Sequence, residues 1–121
     1  MKIFLKAFPA AFNGVKICLS SEINFRIHVV AAIVAAAAGI CFGITNSEWL
    51  VVIICAAAVL TAEMFNTAVE KLCDIVQPGI HSGIKQVKDI AASAVLVTAV
   101  ASVVCGCIIF IPKIISLIKT F

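Results

Sequence analysis

The sequence predicts an all-α integral membrane chain, a single domain over residues 1–121 with an N-terminal amphipathic surface helix and three membrane-spanning helices. Two observations carry this reading. Hydrophobic residues are 64% of the chain and charged residues 12%, against about half and about a quarter in soluble domains; one core of this size cannot hide so much apolar side chain. The apolar residues also fall into three uncharged runs, the longest of which is Ile90 to Ile111, 22 residues, where about 20 suffice to cross a bilayer.

Residues 1–27 are assigned to the surface helix and the entry to the first span. Lys2, Lys6 and Lys16 interrupt the apolar residues, so no secretory signal core forms. Phe4, Phe8 and Phe12 recur every fourth residue and make a drifting apolar stripe suited to a lipid boundary, with Pro9 and Gly14 as its weak points.

The first span covers 28–45, with 16 uncharged residues from Val29 to Ile44. Thr45-Asn46-Ser47 is a tight connection. The second span covers 48–76. Its uncharged stretch, Trp49 to Ala62, has 14 residues, and a segment free of Pro and Gly extends the helix to about Val76 as a polar, cytoplasmic continuation. Pro78 and Gly79 mark a turn, and Gly79 to Lys85 reads as a flexible connection without the spacing of a nucleotide phosphate loop.

The third span covers 87–113. Seven Lys and Arg lie on the side of the N-terminus and of the loop after the second span, and two, Lys113 and Lys119, on the other. That asymmetry places the N-terminus in the cytoplasm. Cys41, Cys55, Cys105 and Cys107 lie inside the apolar runs and read as small packing residues. His28 and His81 read as packing or solvated side chains. No nucleic acid partner is expected.

The candidate chemistry lies at the end of the second helix. Glu63, Asn66, Glu70 and Asp74 stand at offsets of 0, 3, 7 and 11, within an arc of roughly 80° and a length of about 16 Å at helical pitch. Carboxylates in such an apolar chain are costly and mark function. Three on one stripe repel unless a cation neutralises them, and hard oxygen ligands suit Mg²⁺, with nucleotide phosphates as its other partners. Lys88 offers a point charge for a phosphate and Asp89 a further carboxylate; Glu22 and Arg26 add to the same cytoplasmic zone. Glu63 directly follows the uncharged stretch, a depth that suits a general base acting on an alcohol at the membrane surface.

Ala62-Glu63-Met64-Phe65-Asn66-Thr67-Ala68-Val69-Glu70 followed by Asp74 resembles the signature of the bacterial diacylglycerol kinase and undecaprenol kinase family. Lys88 to Val95 resembles its second block, and Glu22 to His28 the block before its first span, so that the likeness runs from Ala11 to Lys113.

The resemblance implies a homotrimer in the bacterial inner membrane, with active sites shared between subunits, that transfers the ATP γ-phosphate to a membrane lipid alcohol. It implies Glu63 as catalytic base, Glu22 and Glu70 as metal and nucleotide ligands, and Asn66, Asp74, Lys88 and Asp89 as the rest of the nucleotide site. Ser93 is a candidate lipid contact. The family's two main substrates are undecaprenol and diacylglycerol, and the Asn24-Phe25-Arg26-Ile27-His28 version of the first block resembles members that prefer undecaprenol.

Two rival readings are a small proton-coupled transporter and a structural membrane subunit whose polar seam drives assembly. A transporter needs its carboxylate isolated near the bilayer centre. Here the acidic residues cluster at a helix end beside Lys88, which suits phosphate and metal better.

Overall fold

Apolar helix formers run along this chain with few interruptions, and the computed structural model, which describes residues 1–121, resolves them into four helices. These are α1 (Lys2–Ser21), α2 (Ile23–Phe42), α3 (Asn46–Val76) and α4 (Ser82–Thr120). Each boundary has a local cause.

Glu22 is extended (φ −119°, ψ 110°) and separates α1 from α2. The guanidinium of Arg26 donates to the carbonyls of Leu19 at 2.9 Å and Ser20 at 3.3 Å. It thereby occupies acceptors that the end of α1 leaves unbonded and ties the two helices into an elbow. Arg26 thus braces the elbow through one guanidinium nitrogen, which leaves its other N–H donors to the polar zone.

Gly43 ends α2 in the left-handed region (φ 61°), a conformation that costs a residue with Cβ about 1–2 kcal/mol. Thr45 then opens α3 with a capping box. Glu48 N–H donates to Thr45 Oγ1 at 3.2 Å, and Thr45 N–H donates to Glu48 Oε1 at 3.0 Å, satisfying two donors that the first turn would otherwise strand. His81 does the same for α4, its Nδ1 accepting from the N–H groups of Gly83 and Ile84 at 3.1 and 3.3 Å.

Two local expectations change. With His81 as its cap, α4 starts at Ser82, so Ser82 to Lys85 is its first turn and the connection shortens to Gln77–His81. α1 runs unbroken through Pro9 and Gly14. Each removes local stabilisation, Pro9 one hydrogen-bond donor and Gly14 conformational preference, but the surrounding ladder continues.

α3 and α4 pair along much of their length, α2 packs on α3, and α1 touches α2 and α3 lightly. Trp49 lies over Gly39, so close that a Cβ there would fall 2.7 Å from Trp49 Cη2 and 3.0 Å from Ile44 Cδ1. At the same end Lys113 Nζ donates to Glu48 Oε2 at 2.7 Å and joins α4 to the start of α3.

Only nine of the 121 residues are buried, too few to form the core of a water-soluble domain. Ile33, Ile53, Ile54, Leu96 and Val97 are among many large apolar side chains on the outside. All four helices are long and apolar enough to cross a membrane, α1 being the least apolar. The surface suits hydrocarbon rather than water.

Candidate active site

The second half of α3 carries the polar stripe. Its buried face is Val59, Glu63, Thr67 and Cys73, positions that recur at helical spacing. Glu63 is 3% exposed, a buried acidic side chain in a chain with few buried residues. Burying an ionised carboxylate is costly without a compensating partner.

That partner comes from α2. His28 Nε2 lies 3.3 Å from Glu63 Oε1. The other polar contacts of this end of the fold are the Asn66 amide donating to Glu70 Oε1 at 3.3 Å, Lys88 Nζ donating to Asp74 Oδ1 at 2.7 Å, and Arg26 on the end of α1.

One polar atom in this region lacks a partner. Asn66 Oδ1 is buried and accepts no hydrogen bond, although a buried acceptor normally has one. It belongs to the side chain that donates to Glu70, so an unsatisfied amide oxygen and a carboxylate sit together one helical turn apart. Hard oxygen donors of this kind fit Mg²⁺, which takes one or two protein carboxylates and completes its shell with phosphates and water. No group of three or more His, Cys, Asp or Glu side chains converges as a protein-only metal cage.

The contacts between helices therefore divide the proposed residues. Glu63, Asn66 and Glu70 occupy consecutive turns of α3, Asp74 is joined to Lys88 of α4, and Glu22 stands at the elbow between α1 and α2. Asp89 is instead held by Lys85, one turn back on α4, at 2.7 Å and in an exposed pair. Ser93 is exposed and donates to the carbonyl of Ile90 at 2.6 Å, so its hydroxyl proton is already used.

His28, which the sequence presents as a packing or solvated side chain, contacts Glu63 in the structure. No spacing in the sequence signals the contact, and only the packing of α2 on α3 pairs His28 with Glu63. The His28 ring also borders an apolar groove of about 340 Å³ between α2, α3 and α4, lined by small residues such as Ala31, Ala35, Ala56 and Gly106.

Chemically, the arrangement sets a buried carboxylate beside oxygen atoms that could hold a divalent cation and a lysine whose charge could meet a phosphate. Comparison with known proteins points the same way. The family described as prokaryotic diacylglycerol kinase matches residues 9–110. An undecaprenol kinase of Bacillus subtilis (strain 168) is 34% identical over 110 residues, covering 91% of this chain and 89% of that protein. A diacylglycerol kinase of Synechocystis sp. is 32% identical over 114 residues, covering 93% of this chain and 65% of that protein.

Proposed function

Since the chain belongs to the prokaryotic diacylglycerol kinase family and is a membrane lipid kinase that takes ATP as phosphate donor, we propose that its acceptor is undecaprenol and that Glu63 is its catalytic base. The burial of Glu63 at the end of an apolar stretch, beside an oxygen-rich stripe, is the observation that carries the assignment. The undecaprenol kinase likeness, which spans nearly the whole of both chains, supports the acceptor.

In the mechanism, a lipid hydroxyl approaches Glu63 from the bilayer boundary and gives its proton to the carboxylate as its oxygen attacks the γ-phosphorus, and the bond from that phosphorus to the β,γ-bridging oxygen breaks so that ADP leaves. Glu22, Glu70 and Asn66 Oδ1 would hold Mg²⁺, which when bound supplies charge neutralisation on the phosphate oxygens. Lys88 has three N–H donors and spends one on Asp74, leaving two for the phosphate chain. Asp74 holds Lys88 at the end of the stripe, while Asp89 and Lys85 border the nucleotide and Ser93 the lipid headgroup. Phosphoryl transfer needs little beyond such positioning and charge stabilisation, and the bilayer concentrates the acceptor.

The reading includes α1 on the membrane surface, α2, α3 and α4 as the spans, and the polar end in the cytoplasm of a bacterial inner membrane. The Lys and Arg asymmetry supports the orientation. It also includes a homotrimer, for which the apolar exterior offers packing surface.

The test is transfer from ATP to undecaprenol and to diacylglycerol by purified protein in detergent, with and without Mg²⁺ and for Glu63→Gln. Faster transfer to undecaprenol, dependent on Mg²⁺ and reduced roughly 10²–10⁴-fold in the variant, is expected. Preference for diacylglycerol would overturn the acceptor, and full turnover by the variant would overturn the base.

A further inference from the structure

We propose that His28 is a positioning residue for the reaction: from α2 it holds Glu63 Oε1 so that the other carboxylate oxygen faces the acceptor hydroxyl. The proposal rests on Glu63 being the base.

The geometry carries it. His28 Nε2 stands 3.3 Å from Glu63 Oε1, with side-chain exposures of 26% and 4%. The side-chain donors of the same stripe and of the facing end of α4 hold other acceptors, the Asn66 amide on Glu70 and Lys88 on Asp74, and His28 is the cationic side chain in contact with Glu63. A buried carboxylate with no partner would be free to rotate about its last torsion, which is broad and two-fold. At 3.3 Å the imidazole and the carboxylate are in contact without a formed hydrogen bond, and closing that contact would remove the freedom and define which oxygen receives the proton.

The placement of the ring gives the contact a direction. His28 lines the end of the apolar groove between α2, α3 and α4, so its ring stands between that groove and the carboxylate. The partner is also on a different helix from the base. A catalytic contact often tightens only when substrate is bound, and here tightening requires α2 and α3 to keep their approach.

The discriminating measurement is steady-state kinetics, with kcat separated from the KM for ATP, on His28→Ala, His28→Asn, His28→Gln and Glu63→Gln, each checked for helicity and melting temperature. The amide nitrogen of Gln reaches nearly as far as Nε2, whereas that of Asn does not. His28→Ala and His28→Asn are expected to lose roughly 10- to 100-fold in kcat, as loss of an orienting partner typically costs, with the KM for ATP unchanged. His28→Gln is expected to recover most of the loss. If His28→Ala fails to fold, His28→Asn against His28→Gln makes the same comparison.

Wild-type kcat in the Ala or Asn variant would overturn the proposal, as would a loss confined to the KM for ATP. A Gln variant as impaired as Asn would also overturn it, because the imidazole would then be needed to carry a proton rather than to orient. Failure of the base assignment is separately visible as full turnover in Glu63→Gln.

Discussion

Adding one methyl group at Gly39 should disturb catalysis from the far end of α2. A Cβ there falls 2.7 Å from Trp49 Cη2, 2.9 Å from Trp49 Cζ2 and 3.0 Å from Ile44 Cδ1, where carbon atoms pack best at about 3.5–4.0 Å. Relief requires roughly 1 Å of movement, by α2 as a body or by the indole and Ile44 together. Overpacking of this degree costs about 1–3 kcal/mol.

The cost should reach the active site because α2 is a stiff rod. Gly39 and His28 lie eleven residues apart on it, about 16 Å at 1.5 Å per residue, so a displacement at one end tilts the other against Glu63. A misplacement of about 1 Å can reduce turnover as much as 10²-fold. Gly39→Ala should therefore melt several degrees lower in detergent and turn over more slowly. The control is Gly106→Ala on α4, where a Cβ meets nothing within 4 Å. Stability and turnover in Gly39→Ala matching those of Gly106→Ala would refute the described approach of α2 to α3.

Two further outcomes follow from individual contacts. Lys88→Met should raise the KM for ATP about tenfold, as expected for loss of one charge-assisted phosphate contact, while helicity is unchanged; an unchanged KM would remove Lys88 from the nucleotide site. Thr45→Ala should destabilise the protein by about 1 kcal/mol through loss of the α3 cap, and Thr45→Ser should restore it; equal melting temperatures for all three proteins would show that the cap is immaterial to stability.

The polar stripe was legible because helical periodicity alone aligns Glu63, Asn66 and Glu70, and the structure joins Asn66 to Glu70 as that spacing implies. Lys88 was legible as a cation, but its pairing with Asp74 across fourteen residues of sequence depends on how the Gln77–His81 turn returns the chain. Asp89 shows the limit of adjacency. It neighbours Lys88 in sequence, yet a helix turns about 100° per residue, and the side chain meets Lys85 one turn away instead.

Composition and the lengths of uncharged runs determined that this chain is helical and apolar on its outside, because a bilayer leaves a backbone no other partners than its own. The spacing within α3 determined which residues share a face, since helix geometry is local. Neither could identify His28 as the partner of Glu63, or show that Arg26 reaches back to the end of α1. Those assignments depend on the approach of α2 to α3 and the bend at Glu22, and such contacts between helices are decided by packing, over distances for which sequence spacing carries no code.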